Sequence, residues 1–139
     1  MPRRDPSPTT SPTQTGALRS SCPVACALDL LGDRWTLLVI RDLFAGKQRF
    51  GEFLVSPEHI PTNILADRLR RLEAAGLVAP VAYSEHPPRY AYHLTDSGRA
   101  LGPVVDALAV WGLEQFPGTR RPDRSRPAES TAAERQRPD

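Results

Sequence analysis

The sequence predicts a mainly helical fold carrying one small β-hairpin, and three observations predict it. Apolar residues recur at helical spacing through most of 23–75. Two alternating, β-prone runs follow within 78–94, separated by a Pro-Pro link. A second helical stretch closes the pattern over 96–116. The chain has 139 residues, 40% of them hydrophobic and 24% charged, which is enough for one globular domain with a modest core.

The ends read differently. Residues 1–20 are rich in Pro, Ser and Thr and almost free of large apolar side chains, and residues 117–139 are similar. Such segments cannot bury enough surface to offset chain entropy, so both are expected to be disordered tails around a domain at 21–116. Charge follows the same division. Residues 1–21 carry three Arg and one Asp, residues 118–139 six Arg and four acids, and residues 22–117 a net −2, against +2 overall. Composition therefore makes no case for a polyanion partner, and the local placement of charge must carry it.

The first helix begins at Pro23, a good first-turn residue, with Ser20 and Ser21 placed to cap it. Val24, Ala27, Leu28 and Leu31 keep its spacing and Gly32 stops it. Asp33 caps the next helix, Arg34 to Phe44. That helix is apolar nearly all round, as a central buried helix would be, and Gly46 ends it. Lys47 to Phe50 read as a short extended segment, 51–55 as a brief helix, and 56–59 as a turn.

Pro61 to Ala75 is amphipathic. Leu65, Leu69 and Leu72 form one stripe, while Asn63, Ala66, Asp67, Arg70 and Ala74 lie opposite, and Gly76 supplies the C-cap. Strands are expected at Val78–Tyr83 and Tyr90–Leu94, joined by a six-residue link at 84–89 that Pro87 and Pro88 stiffen. Thr95 caps a single last helix, Asp96 to Phe116, with room for a kink or irregular turn at the interior Pro103. Its Leu101, Val104, Val105, Leu108 and Trp111 share one side. Two short helices joined by a turn and followed by a hairpin make the winged helix-turn-helix arrangement.

Residues 22–116 resemble the HxlR family of bacterial regulators, which are MarR-like winged-helix proteins. The resemblance is carried by Cys22-Pro23, by Leu31-Gly32-Asp33-Arg34-Trp35-Thr36-Leu37-Leu38, by Arg49-Phe50-Gly51-Glu52-Phe53, by Ile60 to Gly76, and by Pro87 to Thr95. Asp33-Arg34 stands where the family usually has Gly-Lys, and the turn at 56–61 is longer than its commonest form. The resemblance implies a sequence-specific, DNA-binding transcriptional regulator, expected to be a repressor, that acts as a homodimer on a palindromic operator.

Chemistry on the Pro61–Ala75 helix agrees. Thr62 and Asn63 are short polar readers at the end that would face DNA. Asn63 can pair bidentately with adenine, Arg70 can reach guanine or phosphate, and Ala66 can touch a thymine methyl. Asp67 would be repelled by phosphates unless it meets cytosine N4 or orients a neighbouring arginine. Arg71 flanks the helix as a backbone contact, whereas Arg68 points toward the apolar side and is expected to pair with Glu52 or Glu73. Lys47, Gln48 and Arg49 can hold phosphates and so fix register. His86 and Arg89 stand at the wing tip, where an arginine can enter the minor groove. Each of these segments also has a plainer reading as a solvated face or turn.

In the family, dimers form through the terminal helices, here Leu28 on the first and Leu101, Val104, Val105, Leu108 and Trp111 on the last. Those apolar residues can equally complete the monomer core. Cys22 occupies the place where many family members put a redox- or electrophile-sensing cysteine. Helix N-terminal amides stabilise a thiolate, and Arg19 can add to that. An inert thiol is the alternative, and Cys26 is read as core. The i, i+4 spacing makes a Cys22–Cys26 disulfide strained.

His59, His86 and His93 are scattered, and no phosphate loop, catalytic triad or metal motif is present, so neither a cofactor nor an enzymatic activity is expected. No 18-residue apolar run or secretory leader is seen, and the cytoplasm is the default. Two other functions stay open: a winged-helix protein–protein module, which the net −2 of residues 22–117 allows, and a small ligand-binding dimer.

Overall fold

The structure, a computed structural model, describes residues 18–121; of the tails expected at 1–20 and 117–139, residues 1–17 and 122–139 lie outside the described residues. Six helices and one hairpin appear among them. In order these are α1 (Pro23–Leu31), α2 (Thr36–Phe44), α3 (Phe50–Leu54), α4 (Thr62–Ala74), β1 (Val78–Glu85), β2 (Pro88–Leu94), α5 (Asp96–Arg99) and α6 (Gly102–Gln115). The winged helix-turn-helix read from the sequence is the fold observed.

The core gathers where α2, α3, α4 and the base of the hairpin meet. Ile40, Leu65 and Leu72 are fully buried there, with Phe53, Leu69 and Val78 nearly so. The predicted stripe of α4 is thus its packing face. Its first turn (Thr62 and Asn63) and Arg70 and Arg71 stay exposed. Of the apolar residues of α1, Leu31 alone is buried, and Val24 and Leu28 face outward.

Local chemistry sets the joints. Asp33 accepts hydrogen bonds from the amides of Trp35 at 2.7 Å and Thr36 at 3.0 Å, which is the predicted cap acting across one extra turn, so α2 begins at Thr36. Ahead of α3, Glu52 reaches back to accept from the amides of Gln48 and Arg49, each at 2.8 Å. Ser20 accepts from the Cys22 amide at 3.0 Å, one residue short of α1.

The wing differs from expectation in one respect. The link is two residues, His86-Pro87, joined by a cis peptide, rather than six. Glu85 still pairs with Pro88 and Ser84 with Arg89, so the ladder runs to the tip. Pro80 is accommodated because β1 is the outer strand of the sheet. The segment before α3 touches the inner edge. Arg49 bridges Ala91, and the Tyr92 amide donates to the Gln48 carbonyl at 2.7 Å.

The last helix is also different. It is two helices, broken at Ala100–Leu101, and Pro103 lies in the first turn of α6 instead of kinking a longer helix. A proline costs nothing there, because the first-turn amides have no helical partner. Leu101, at the N-cap of α6, and Val105 pack against the core, whereas Val104, Leu108 and Trp111 face outward. A cavity of about 280 Å³ opens between α2 and α6, walled by Leu37, Leu38, Phe44, Val105, Leu108 and Leu113.

Thr95 and Gly98 close the hairpin onto α5. The Thr95 hydroxyl donates to the Gly76 carbonyl at 2.6 Å and accepts from the Gly98 amide at 3.1 Å. A Cβ on Gly98 would sit 2.1 Å from the Leu77 carbonyl oxygen, a collision with backbone that no rotamer relieves. Gly98→Ala is therefore expected to destabilise the fold by on the order of 1–3 kcal/mol, as overpacking does. Urea unfolding measures it, and an unchanged midpoint would contradict this packing.

Candidate nucleic-acid interface

The candidate surface has three parts: the exposed side of α4, the segment ahead of α3, and the wing. On α4, Asp67 is the organising residue. It pairs with Arg71 at 3.1 Å and with Arg70 at 3.5 Å, and it also holds Arg68. Asp67 therefore orients neighbouring arginines. Arg70 and Arg71 remain 71% and 64% exposed while tethered, so their donors are still available to a ligand. Thr62 and Asn63 are exposed at the N-terminal end, and Ala66 is half-buried.

Arg68 behaves as a structural residue, but with other partners than predicted. Its side chain is 14% exposed and bonds Asp33 at 3.1 Å as well as Asp67, not Glu52 or Glu73. Burial tends to raise the Asp33 pKa. It is outweighed by hydrogen bonds from the Thr36 hydroxyl, the Trp35 amide and Arg68, which bring it down to about 2.

Lys47 requires a correction. Its ammonium is turned inward, 2.7 Å from the Ser56 hydroxyl and 3.6 Å from Asp42, with the side chain 14% exposed. A buried carboxylate at Asp42 needs counter-charge, and Lys47 and Arg41 supply it. Ser56 in turn donates to Asp42. Arg41 continues the network by forking onto Glu58 at 2.8 and 2.9 Å, which holds that carboxyl below its usual range. These bonds brace the turn between α3 and α4. Within that turn His59 adopts a positive φ of 58°. Lys47 therefore serves the scaffold rather than a phosphate.

Gln48 and Arg49 are exposed beside it. The Arg49 guanidinium lies 4.1 Å from the centre of the Tyr83 ring, which joins this segment to the wing. At the wing tip His86 and Arg89 are exposed, and Arg89 has no ion pair among the described residues. The wing-tip and α4 cations are separate groups, each built on its own element.

Cys22 is exposed at the N-cap of α1 and Cys26 is partly buried, with its thiol against the Ser20 carbonyl at 3.1 Å. Arg19 does not serve Cys22. Its guanidinium is bound to Asp29, with contacts of 2.6 to 3.2 Å.

A helix-turn-helix with its second helix exposed along one polar side, followed by a hairpin wing, defines the winged helix-turn-helix class of fold. The chain belongs to the HxlR-like helix-turn-helix family, whose pattern matches residues 30–119. It is 43% identical over 99 residues to an uncharacterized HTH-type transcriptional regulator of Mycobacterium tuberculosis. That match covers 71% of this chain and 62% of the relative, so the chain spans about three-fifths of the mycobacterial protein. It is 37% identical over 94 residues to the uncharacterized HTH-type transcriptional regulator YybR of Bacillus subtilis, covering 68% of this chain and 75% of the relative. Among solved structures, the redox regulator HypR in its reduced form superposes with a TM-score of 0.64 at 35% identity, over 69% of this chain and 95% of that one. The reduced form of the transcriptional regulator YodB from B. subtilis gives 0.58 at 32% identity, over 73% and 100%. These are regulators rather than enzymes. No helix among the described residues is long and apolar enough to cross a membrane.

Asp33 generates a test of the scaffold. Its folded pKa lies below the unfolded value, so its contribution is present above about pH 4 and is lost as pH falls through about 2. Wild-type protein should be more stable than Asp33→Asn at neutral pH, with the gap closing across that window. A gap independent of pH, measured by urea unfolding, would contradict the charge-based role.

Proposed function

We propose that this chain is a homodimeric transcriptional repressor that binds a palindromic operator in double-stranded DNA. The observation that carries the reading is α4. Its apolar stripe is buried in the domain, and its exposed side carries Thr62, Asn63, Arg70 and Arg71, with the two arginines oriented by Asp67. A helix so placed enters the major groove, where Asn63 and Arg70 read base edges and Arg71 meets the backbone. Gln48 and Arg49 fix register on phosphates, and Arg89 with His86 reaches the adjacent minor groove from the wing.

Dimerisation is supported by apolar surface that the domain leaves uncovered. Leu28 on α1 and Val104, Leu108 and Trp111 on α6 are all exposed, Trp111 by 57%. A partner copy covering them would set two wings at one half-site each, about one helical turn apart, ~34 Å. Leu101 and Val105 support this face from beneath by packing on the core. The effector is read as an oxidant, electrophile or small molecule. Exposed Cys22 heads α1, the helix that carries Leu28 of the proposed dimer face, so modification there would bear on half-site spacing. The cavity between α2 and α6 is the place for an apolar ligand.

Titrating purified protein into promoter duplex at several salt concentrations tests DNA binding. A steep fall of affinity with salt is expected, and no binding even at low salt would refute the reading. Arg89→Ala should weaken binding to all sequences alike. An unchanged affinity would remove the wing from the interface. Cys22→Ser should abolish release of DNA by a thiol reagent and leave the resting affinity intact, and a retained response would exclude Cys22 as sensor.

A further inference from the structure

One exposed aromatic of the wing has no part in the core and no direct DNA contact in the reading above. Tyr83 lies on the outer strand of the wing, 41% exposed, where a large apolar side chain gains little from packing. The strand is irregular at this residue. Ala82 pairs with Tyr90 and Ser84 with Arg89, which leaves Tyr83 unpaired in a β-bulge. A bulge re-aims the side chain it carries. Here the ring meets the Arg49 guanidinium, 4.1 Å from its centre, across the sheet from another part of the chain.

Arg49 is held in every other respect too. Its amide is bonded to Glu52, the neighbouring Gln48 carbonyl accepts from Tyr92, and its backbone bridges Ala91. The long side chain is the one part left with freedom, and the Tyr83 ring removes it. A guanidinium held over a ring still has N–H donors around its edge, and these can grip a phosphate with two hydrogen bonds. Arg49 is exposed and has no ion pair among the described residues. Lys47, two residues earlier, is turned into the Asp42 cluster. Arg49 is thus the cation this segment presents outward.

We propose that Tyr83 is a positioning residue: the wing bulge places its ring against Arg49 and so presents the guanidinium, preorganised, to a phosphate of the DNA backbone. This rests on the DNA-binding reading above. It gives the bulge a purpose and couples two parts of the interface, since a change of wing conformation would release Arg49. The contact carries no sequence information, so it contributes equally on any duplex.

The test is a double-mutant cycle on the full chain, read by fluorescence anisotropy with a labelled duplex of arbitrary sequence across a salt series. Arg49→Ala should reduce the slope of log affinity against log salt by about 0.9, one phosphate contact. Tyr83→Ala should weaken binding about two- to fivefold, the range of an exposed cation–π contact. Tyr83→Phe, which keeps the ring, should bind like wild type. In the Arg49→Ala background, Tyr83→Ala should cost nothing further. An equal loss in both backgrounds, no loss in either, or a Phe variant as weak as Ala would overturn the proposal, the last by assigning the effect to the hydroxyl. Wild-type protein that binds no duplex at low salt would instead refute the DNA-binding reading, and this inference with it.

Discussion

The guanidinium of Arg68 ties α4 to the start of α2. It bonds Asp33, which caps α2, and Asp67, which organises the exposed arginines of α4. One side chain therefore joins the helix that packs the core, the helix that faces outward, and the charges on that outer side. Removing it would leave Asp33 without its counter-charge and Asp67 with only the exposed Arg70 and Arg71, themselves then freed from a fixed anchor. The turn entering α4 is braced in the same way from the other side, by Asp42 with Lys47, Arg41, Ser56 and Glu58. With entrance and middle both held, α4 presents its first turn on a rigid base.

These ion pairs change the meaning of the charge balance. Residues 22–117 carry a net −2, which on its own argues against a polyanion partner. Yet Asp33, Asp42, Glu52, Glu58 and Asp67 are all engaged within the domain, capping helices or neutralising arginines. Their charge acts inside the scaffold. What faces outward around α4 and the wing includes Arg49, Arg70, Arg71 and Arg89, against the exposed acids Glu73 and Glu85. The same division separates the inward cations, Lys47, Arg41 and Arg68, from the outward ones. Net charge cannot express that division, because it sums residues whose fields are already cancelled at contact distance with those that are not.

The parts of this structure legible in the sequence are those governed by local spacing. The stripe of Leu65, Leu69 and Leu72, the cap at Asp33, the alternating strands and the turn at Thr95 all follow from residues a few positions apart. Pro103 reads in the sequence as a kink or irregular turn inside one long helix, whereas the folded chain breaks that helix at Ala100–Leu101 and uses the proline in the first turn of α6. The wing link shrank from six residues to two because strand pairing, which spacing alone does not reveal, extends over the polar residues at the tip. The site shows the same limit. Arg68 finds Asp33, 35 residues away, and Arg41 finds Glu58, 17 away. Asp42, Ser56 and Tyr83 carry no site signal in the sequence, since their partners come together only in the folded chain. Tyr83 left one trace, an aromatic on a strand position that faces water.

Selection of bound duplexes from a random-sequence pool by the purified full chain tests the central claim most directly, that α4 and the wing of two copies read one DNA site. The account predicts enrichment of a palindrome whose half-sites lie about one helical turn apart, ~34 Å. Recovery of no enriched sequence would contradict it, and a single unrepeated half-site would contradict the dimer.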